Sequence, residues 1–255
     1  MNLLISLRSE LLKTKRTASF YLTLICAAVG PVLYLFNVLL DEGELDGTSK
    51  DPLNALFKIL SDMNGVALFP LFIVLICTLL PQIEYRNNTW KQVFALPQTK
   101  ANAFLAKFLT VHLLMLIFLI ATHLFMFLTV VAINFIKPNL DLFRHPFDAG
   151  IVIMNAVKSY LLMLAVCALQ FWLGLRFRNF IVPVGIGLAL WLIGTIKGVQ
   201  YKSSLVNYFP YSFQAYFVSA KMKPHINQIA WTSMGYAVLF LVVGFLDFRR
   251  RAAFK

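Results

Sequence analysis

The chain has 255 residues, 60% of them hydrophobic and only 13% charged, with a mean hydropathy of +0.75. A soluble domain averages roughly 45–50% apolar and about 25% charged residues, so a surface this poor in charge excludes a water-soluble globule and a disordered chain alike. At about 20 apolar residues per crossing, the length holds about six membrane helices, a single transmembrane domain over 1–255, and leaves no room for a nucleotide-hydrolysing domain.

In chain order, Leu3, Leu4, Leu7 and Leu11 recur at helical spacing while Ser6, Ser9, Glu10 and Lys13 fall elsewhere. This pattern predicts a short helix in the headgroup layer, an elbow before the first span; a plain basic flank is the alternative. The first span is read at 17–40. It contains Cys26, which follows Ile25 rather than a small residue and so does not resemble a lipoprotein signal. Asp41, Glu42, Glu44 and Asp46 form an acidic turn. Asp51 and Pro52 then read as a helix cap and first-turn proline. Leu53, Leu56, Phe57 and Leu60 share one face of a short helix expected on the outer surface. The remaining spans are read at 63–80, 108–136, 151–175, 180–196 and 229–248, the third long enough to tilt or project. Each must be helical, because a lipid-embedded backbone has to satisfy its own hydrogen bonds.

The net charge of +12 is unevenly placed. With both termini on one side, that side carries 14 Lys and Arg against Glu10, Glu84 and Asp247; the other carries 9, balanced by eight acids. The positive-inside rule therefore predicts cytoplasmic termini.

Few residues suggest chemistry. The sequence has no glycine-rich phosphate loop, no paired metal histidines flanking a glutamate, and no nucleophile elbow. Cys26, Cys77 and Cys167 all lie in apolar runs and read as packing residues rather than a disulfide framework or metal cluster. His112 and His123 share a face of the third span about 16 Å apart, too far to share a metal. They read as interior imidazoles bonded to neighbours such as Thr122, Thr129 or Asn134, or as a proton relay. Gly187, Gly194 and Gly198 in the fifth span allow close helix approach, either at a subunit seam or within the chain. The stretch containing Tyr201, Tyr208, Phe209, Pro210, Tyr211, Phe213, Tyr216 and Phe217 is broken by its proline. It reads as an interfacial belt, or as a surface or re-entrant pair closing an outer gate built on Tyr208 to Phe213.

The segment from Glu84 to Lys107 is too polar to span and too long for a turn, and a docking surface for a soluble partner explains it economically. Here the sequence resembles the type-2 ABC transporter permeases. Glu84 ends the second span, Thr89 and the apolar Trp90 follow with Lys91, then Leu96, Pro97, Thr99 and Lys100, and Lys107 opens the third span. Asn88 stands where the family usually has Gly, and Lys100 where it usually has Arg.

The resemblance implies an all-α permease with an elbow helix and six spans in a prokaryotic inner membrane. It further implies a homodimer or heterodimer with a second permease along the first and fifth spans, and a separately encoded ABC ATP-binding subunit docked on Glu84 to Lys107. ATP and Mg belong to that partner, and this chain binds no cofactor and no nucleic acid. In size and style the chain is similar to the lantibiotic- and bacitracin-immunity branch, whose members remove antimicrobial peptides from the membrane. The alternatives are a non-transporting scaffold and a self-contained intramembrane enzyme, for which only His112, His123, Lys158 and Gln170 are available.

Overall fold

The computed structural model describes residues 2–15, 17–40, 51–95, 97–144, 146–200, 204–219 and 222–251. The acidic turn at 41–46, Leu96 and Tyr201 lie outside these residues. Every regular element among the described residues is helical: α1 (Leu3–Thr14), α2 (Ala18–Leu39), α3 (Pro52–Met63), α4 (Phe69–Arg86), α5 (Trp90–Ala95), α6 (Lys100–Ile136), α7 (Ala149–Leu162), α8 (Leu164–Arg176), α9 (Ile181–Gln200) and α10 (Ile226–Arg251). Among the described residues five helices are long and apolar enough to cross a membrane, or six if the bent pair α7–α8 is one span.

Three departures from the sequence reading carry consequences. First, α3 has the expected cap, with Asn54 N–H donating to the Asp51 carboxylate, and buries the expected face of Leu53, Leu56, Phe57 and Leu60. It is not a separate surface helix, however. A π-helical turn at Asn64–Leu68 carries it directly into α4, so 52–86 is one helical run. Second, α6 begins at Lys100 rather than 108, and its 37 residues extend about 55 Å. Third, the fourth span bends by 43° at Met163, with no proline or glycine there. The bend is stabilised from outside: the hydroxyl of Ser233 on α10 donates to the carbonyls of Leu161 and Leu162 and accepts from Ala165 N–H. Backbone groups freed in lipid need such partners.

The interior is packed by small residues and aromatics. A Cβ at Gly174 would overlap the Cys77 carbonyl, which sets how closely α8 lies on α4. Phe118 of α6 stacks on Phe72 of α4 at 4.4 Å between ring centroids. At the far end a second cluster joins α3 to Met126, Val130 and Ile133 of α6.

The segment Pro210–Phe217 is a 3₁₀ run buried against α9 and the π-helical turn. Tyr211 and Phe213 lie in the core, whereas Tyr208 is half exposed and Phe209 and Pro210 are partly buried. The Tyr211 hydroxyl donates to Gln170 Oε1 at 2.9 Å, and Gln170 Nε2 donates to the Pro183 carbonyl at 2.6 Å. Gln170 thus joins α8, α9 and this segment in one saturated polar knot. Gly194 and Gly198 lie beneath the same segment: a Cβ at Gly194 would collide with the Tyr211 carbonyl, and one at Gly198 with the Ala215 Cβ. Gly187 faces Val74 and Gln170. The close approach that these three glycines permit is made within the chain.

A methyl group at Gly194 should therefore displace Tyr211 from Gln170. Gly194→Ala is expected to lower the thermal midpoint in detergent by several degrees, while Gly185→Ala, facing open space, leaves it unchanged.

Candidate functional site: a buried charge cluster beneath a short helix

The local chain builds this site from the end of α4. Arg86 closes the helix, Asn88 takes a left-handed φ of 51°, and Thr89 N–H bonds back to the Glu84 carbonyl at 3.1 Å. This is the Schellman arrangement, which favours Gly, then Asn, at the left-handed position. The departure at Asn88 from the family's usual glycine is thereby accommodated. The turn launches α5, only six residues long, and Thr99 then caps α6 by accepting from Asn102 N–H at 3.1 Å.

Lys107, 1% exposed, lies between two carboxylates: its Nζ is 2.5 Å from Glu84 Oε1 and 2.7 Å from Glu10 Oε2. Lys13 completes the group, 2.7 Å from Glu10 and 3.4 Å from Glu84. Lys107 and two carboxylates from α1 and α4 are thus buried together, with the partly exposed Lys13 balancing the second negative charge, the condition under which buried charge is tolerated. Trp90 of α5 covers the cluster, its ring centroid 5.5 Å from Lys107 Nζ, a cation–π contact. Two buried polar atoms here, Glu84 Oε2 and the Trp90 indole N–H, have no hydrogen-bond partner among the described residues.

The expected docking residues thus divide. Glu84, Trp90 and Lys107 are interior and come together. Lys91 and Pro97 are exposed, Thr89 and Lys100 partly so, and these form the outer face of the same loop. Glu10 and Lys13, which helical spacing places on the polar side of the elbow, join this site. The signal was available: Ser6, Glu10 and Thr14 recur every four residues and form the buried stripe of α1, while Leu4 is 77% exposed. The elbow turns its polar side to the protein, leaves Leu4, Ile5 and Leu12 exposed, and half-buries Leu3, Leu7 and Leu11. Ser6 Oγ also donates to Gln98 Oε1, and Gln98 Nε2 to the Val93 carbonyl, which pins α1 to the end of α5.

From Trp90 an aromatic stack climbs the bundle. Trp90 meets Phe248 at 5.8 Å, Phe248 meets Phe104 at 5.7 Å, and Phe104 and Phe108 each meet Phe171 at 5.3 Å. Phe108 contacts His112, whose Nδ1 is 2.7 Å from the Tyr160 hydroxyl, one turn before the bend at Met163. His123 bonds instead to its own helix, with Nδ1 2.7 Å from the Leu119 carbonyl. Each imidazole is bonded to a neighbour, though to none of the threonine or asparagine partners expected. Lys158 lies over the Tyr216 ring at 5.9 Å. Cys77 and Cys167 are reduced, with sulfurs 3.9 Å apart.

Burial raises the pKa of the Glu10 carboxyl, but the Lys107 charge, the bonds from Lys107 and Lys13 and the Lys13 charge lower it by more, so it lies below the ordinary value of 4.5. Burial lowers the pKa of Lys13, and Glu10 and Glu84 raise it past 10.5. The Glu10 contribution to stability is complete above pH 4.5 and lost as pH falls through its depressed value. That of Lys13 is complete below pH 10.5 and lost as pH rises through its elevated one. Thermal unfolding from pH 7 to 3 should show a fall in stability that Glu10→Gln reduces. Lys107→Met leaves two carboxylates with only the partly exposed Lys13 as a cation; it should cost about 3–5 kcal/mol, read as a loss of folded yield that Glu84→Gln partly restores.

No curated protein matches the chain. The family model described as ABC-2 family transporter protein matches residues 6–194, which contain the charge cluster, α5 and the first four membrane-crossing elements, with most of the elbow and of α9. The chain belongs to the ABC-2 transporter family, as a multi-pass membrane permease subunit of an ABC transporter.

Proposed function

We propose that this permease exports an amphipathic or hydrophobic substrate, such as an antimicrobial peptide, and that a separately encoded ATP-binding subunit drives it through α5. The carrying observation is the placement of Trp90: it caps a neutral charge cluster that ties α1, α4 and α6 together, and its neighbours Lys91 and Pro97 face outward. A force on the exposed face of α5 would act on a rigid unit rather than on a loose loop. The aromatic stack from Trp90 to Tyr160 offers a mechanical path to the bend at Met163, a two-state element that nucleotide could bias. ATP and Mg reside in the partner.

In this reading the basic end, which gathers α1, α5 and the last turns of α8 and α10, faces the cytoplasm of a prokaryotic inner membrane. The excess of Lys and Arg there supports it. The permease pairs with an identical or different copy. Because Gly187, Gly194 and Gly198 are covered within the chain, pairing through the fifth span would use the opposite face of α9, where Gly185, Leu188, Leu192 and Ile196 are exposed.

The test uses the full chain co-expressed with its ATP-binding subunit and reconstituted in vesicles. The subunit should co-purify, and Trp90→Ala should lower peptide-stimulated ATP hydrolysis severalfold while leaving membrane insertion intact. An ATPase-free preparation that is fully active, or unchanged stimulation in the variant, overturns the proposal.

A further inference from the structure

The exposed side of α1 combines two kinds of residue. Leu4, Ile5 and Leu12 are each more than half exposed, and Arg8 and Lys15 are exposed with them. At 3.6 residues per turn these five positions fall within about 100° of the helix circumference, opposite the buried Ser6, Glu10 and Thr14. Glu10 is the one acid between residues 2 and 15, and its carboxylate is turned inward to Lys107 and Lys13. The exposed stripe is therefore apolar and cationic, with no acid in it. Neither Arg8 nor Lys15 makes a salt bridge among the described residues.

Position in the chain decides what this stripe meets. α1 ends at Thr14 and the membrane-crossing α2 starts at Ala18, a stretch that a fully extended chain covers in about 14 Å. The stripe thus stands near the level of the lipid headgroups, where leucines enter the hydrocarbon boundary and cations meet phosphate. Each Lys or Arg near an anionic surface raises binding roughly fivefold, and a zwitterionic surface offers it no net charge. The other side of α1 leads to α5. Ser6 Oγ donates to Gln98 Oε1, Gln98 Nε2 donates to the Val93 carbonyl, and Glu10 holds Lys107, over which Trp90 lies.

We propose that α1 senses membrane charge: anionic phospholipid headgroups bind the stripe from Leu4 to Lys15, and their hold on α1 steadies α5 through Ser6 and Glu10. In a membrane without anionic lipid the stripe keeps only its apolar contacts. α1 then leaves Lys107 more often, and Trp90 loses part of the surface it covers. The lipid contact stands by itself; its consequence for transport rests on the coupling through α5 proposed above.

The experiment places the full chain in vesicles of phosphatidylcholine with and without phosphatidylglycerol, each lipid in turn carrying a diazirine beside its headgroup, and maps cross-links by mass spectrometry. Labelling of α1 by the phosphatidylglycerol probe should exceed that by the phosphatidylcholine probe severalfold, and the excess should shrink in high salt. Arg8→Gln combined with Lys15→Gln, both at exposed positions, should abolish the excess. Hydrogen exchange in the absence of any partner gives a second readout. The α5 amides should exchange severalfold more slowly with phosphatidylglycerol present, in the parent chain but not in the double variant. Ser6→Ala should keep the labelling and blunt this response. Equal labelling by both probes, a double variant that labels like the parent, α5 exchange indifferent to lipid charge, or an undiminished Ser6→Ala response overturns the sensor. A stripe that neither probe reaches, because a second copy of the chain covers it, overturns it too. With the ATP-binding subunit added, stimulated hydrolysis should be severalfold higher in the phosphatidylglycerol vesicles. If α5 responds to lipid charge while hydrolysis is unstimulated in every membrane, the coupling reading fails and the sensor stands.

Discussion

A single buried cation organises the basic end of this permease. Lys107 sits in the first turns of α6 with carboxylates of two other helices within hydrogen-bond distance. Removing two carboxylates and the Lys107 ammonium from water is expensive, and their mutual contact, with Lys13 at the edge, offsets it. That constraint locks α1 on α6 and fixes the end of α4. It also gives Trp90 a surface to cover, so the short α5 has a defined position despite being too short to be stable alone. Remove the cation and the elbow, the loop helix and the aromatic stack lose their common reference.

The same physical rule, that polar groups in lipid must find protein partners, governs the rest of the bundle. Ser233 satisfies both sides of the bend in the fourth span. Gln170 uses its amide to hold α8, α9 and the 3₁₀ run together. The Schellman turn at Asn88 serves the carbonyl of Glu84, the residue whose carboxylate serves Lys107. These polar knots lie where helices break or begin, and apolar packing fills the lengths between.

Family membership and geometry both bear on the division of labour proposed above. A permease of this kind takes its energy from elsewhere, and the interior charge cluster sits directly beneath the loop helix whose other face is exposed. The elbow belongs to the same unit. Its polar stripe of Ser6, Glu10 and Thr14 faces the protein while Leu4 and Leu12 are exposed, the reverse of a helix lying on a soluble core. On the coupling proposed above, Glu84 and Lys107 act without touching the partner, by fixing where Lys91 and Pro97 stand.

The sequence by itself determined the membrane class and the helical fold, because apolar run length is a local property. It also located the cap of α3 and its buried face, which depend on spacing within a few residues. What only the tertiary structure decided were contacts between distant positions. Glu10 and Lys107 are 97 residues apart in sequence, so no local pattern could pair them. The bend at Met163 has no proline or glycine to announce it and depends on a serine from another helix. The glycine stripe of α9 was equally compatible with a subunit seam and an internal contact, and the fold places Tyr211 and Ala215 against it. Tyr211 and Phe213, legible only as aromatics near a proline, proved to be core because Gln170 stands ready to receive the hydroxyl. Periodicity fixes which face of a helix is apolar; which neighbour that face meets is settled by packing, where long-range partners compete for the same space.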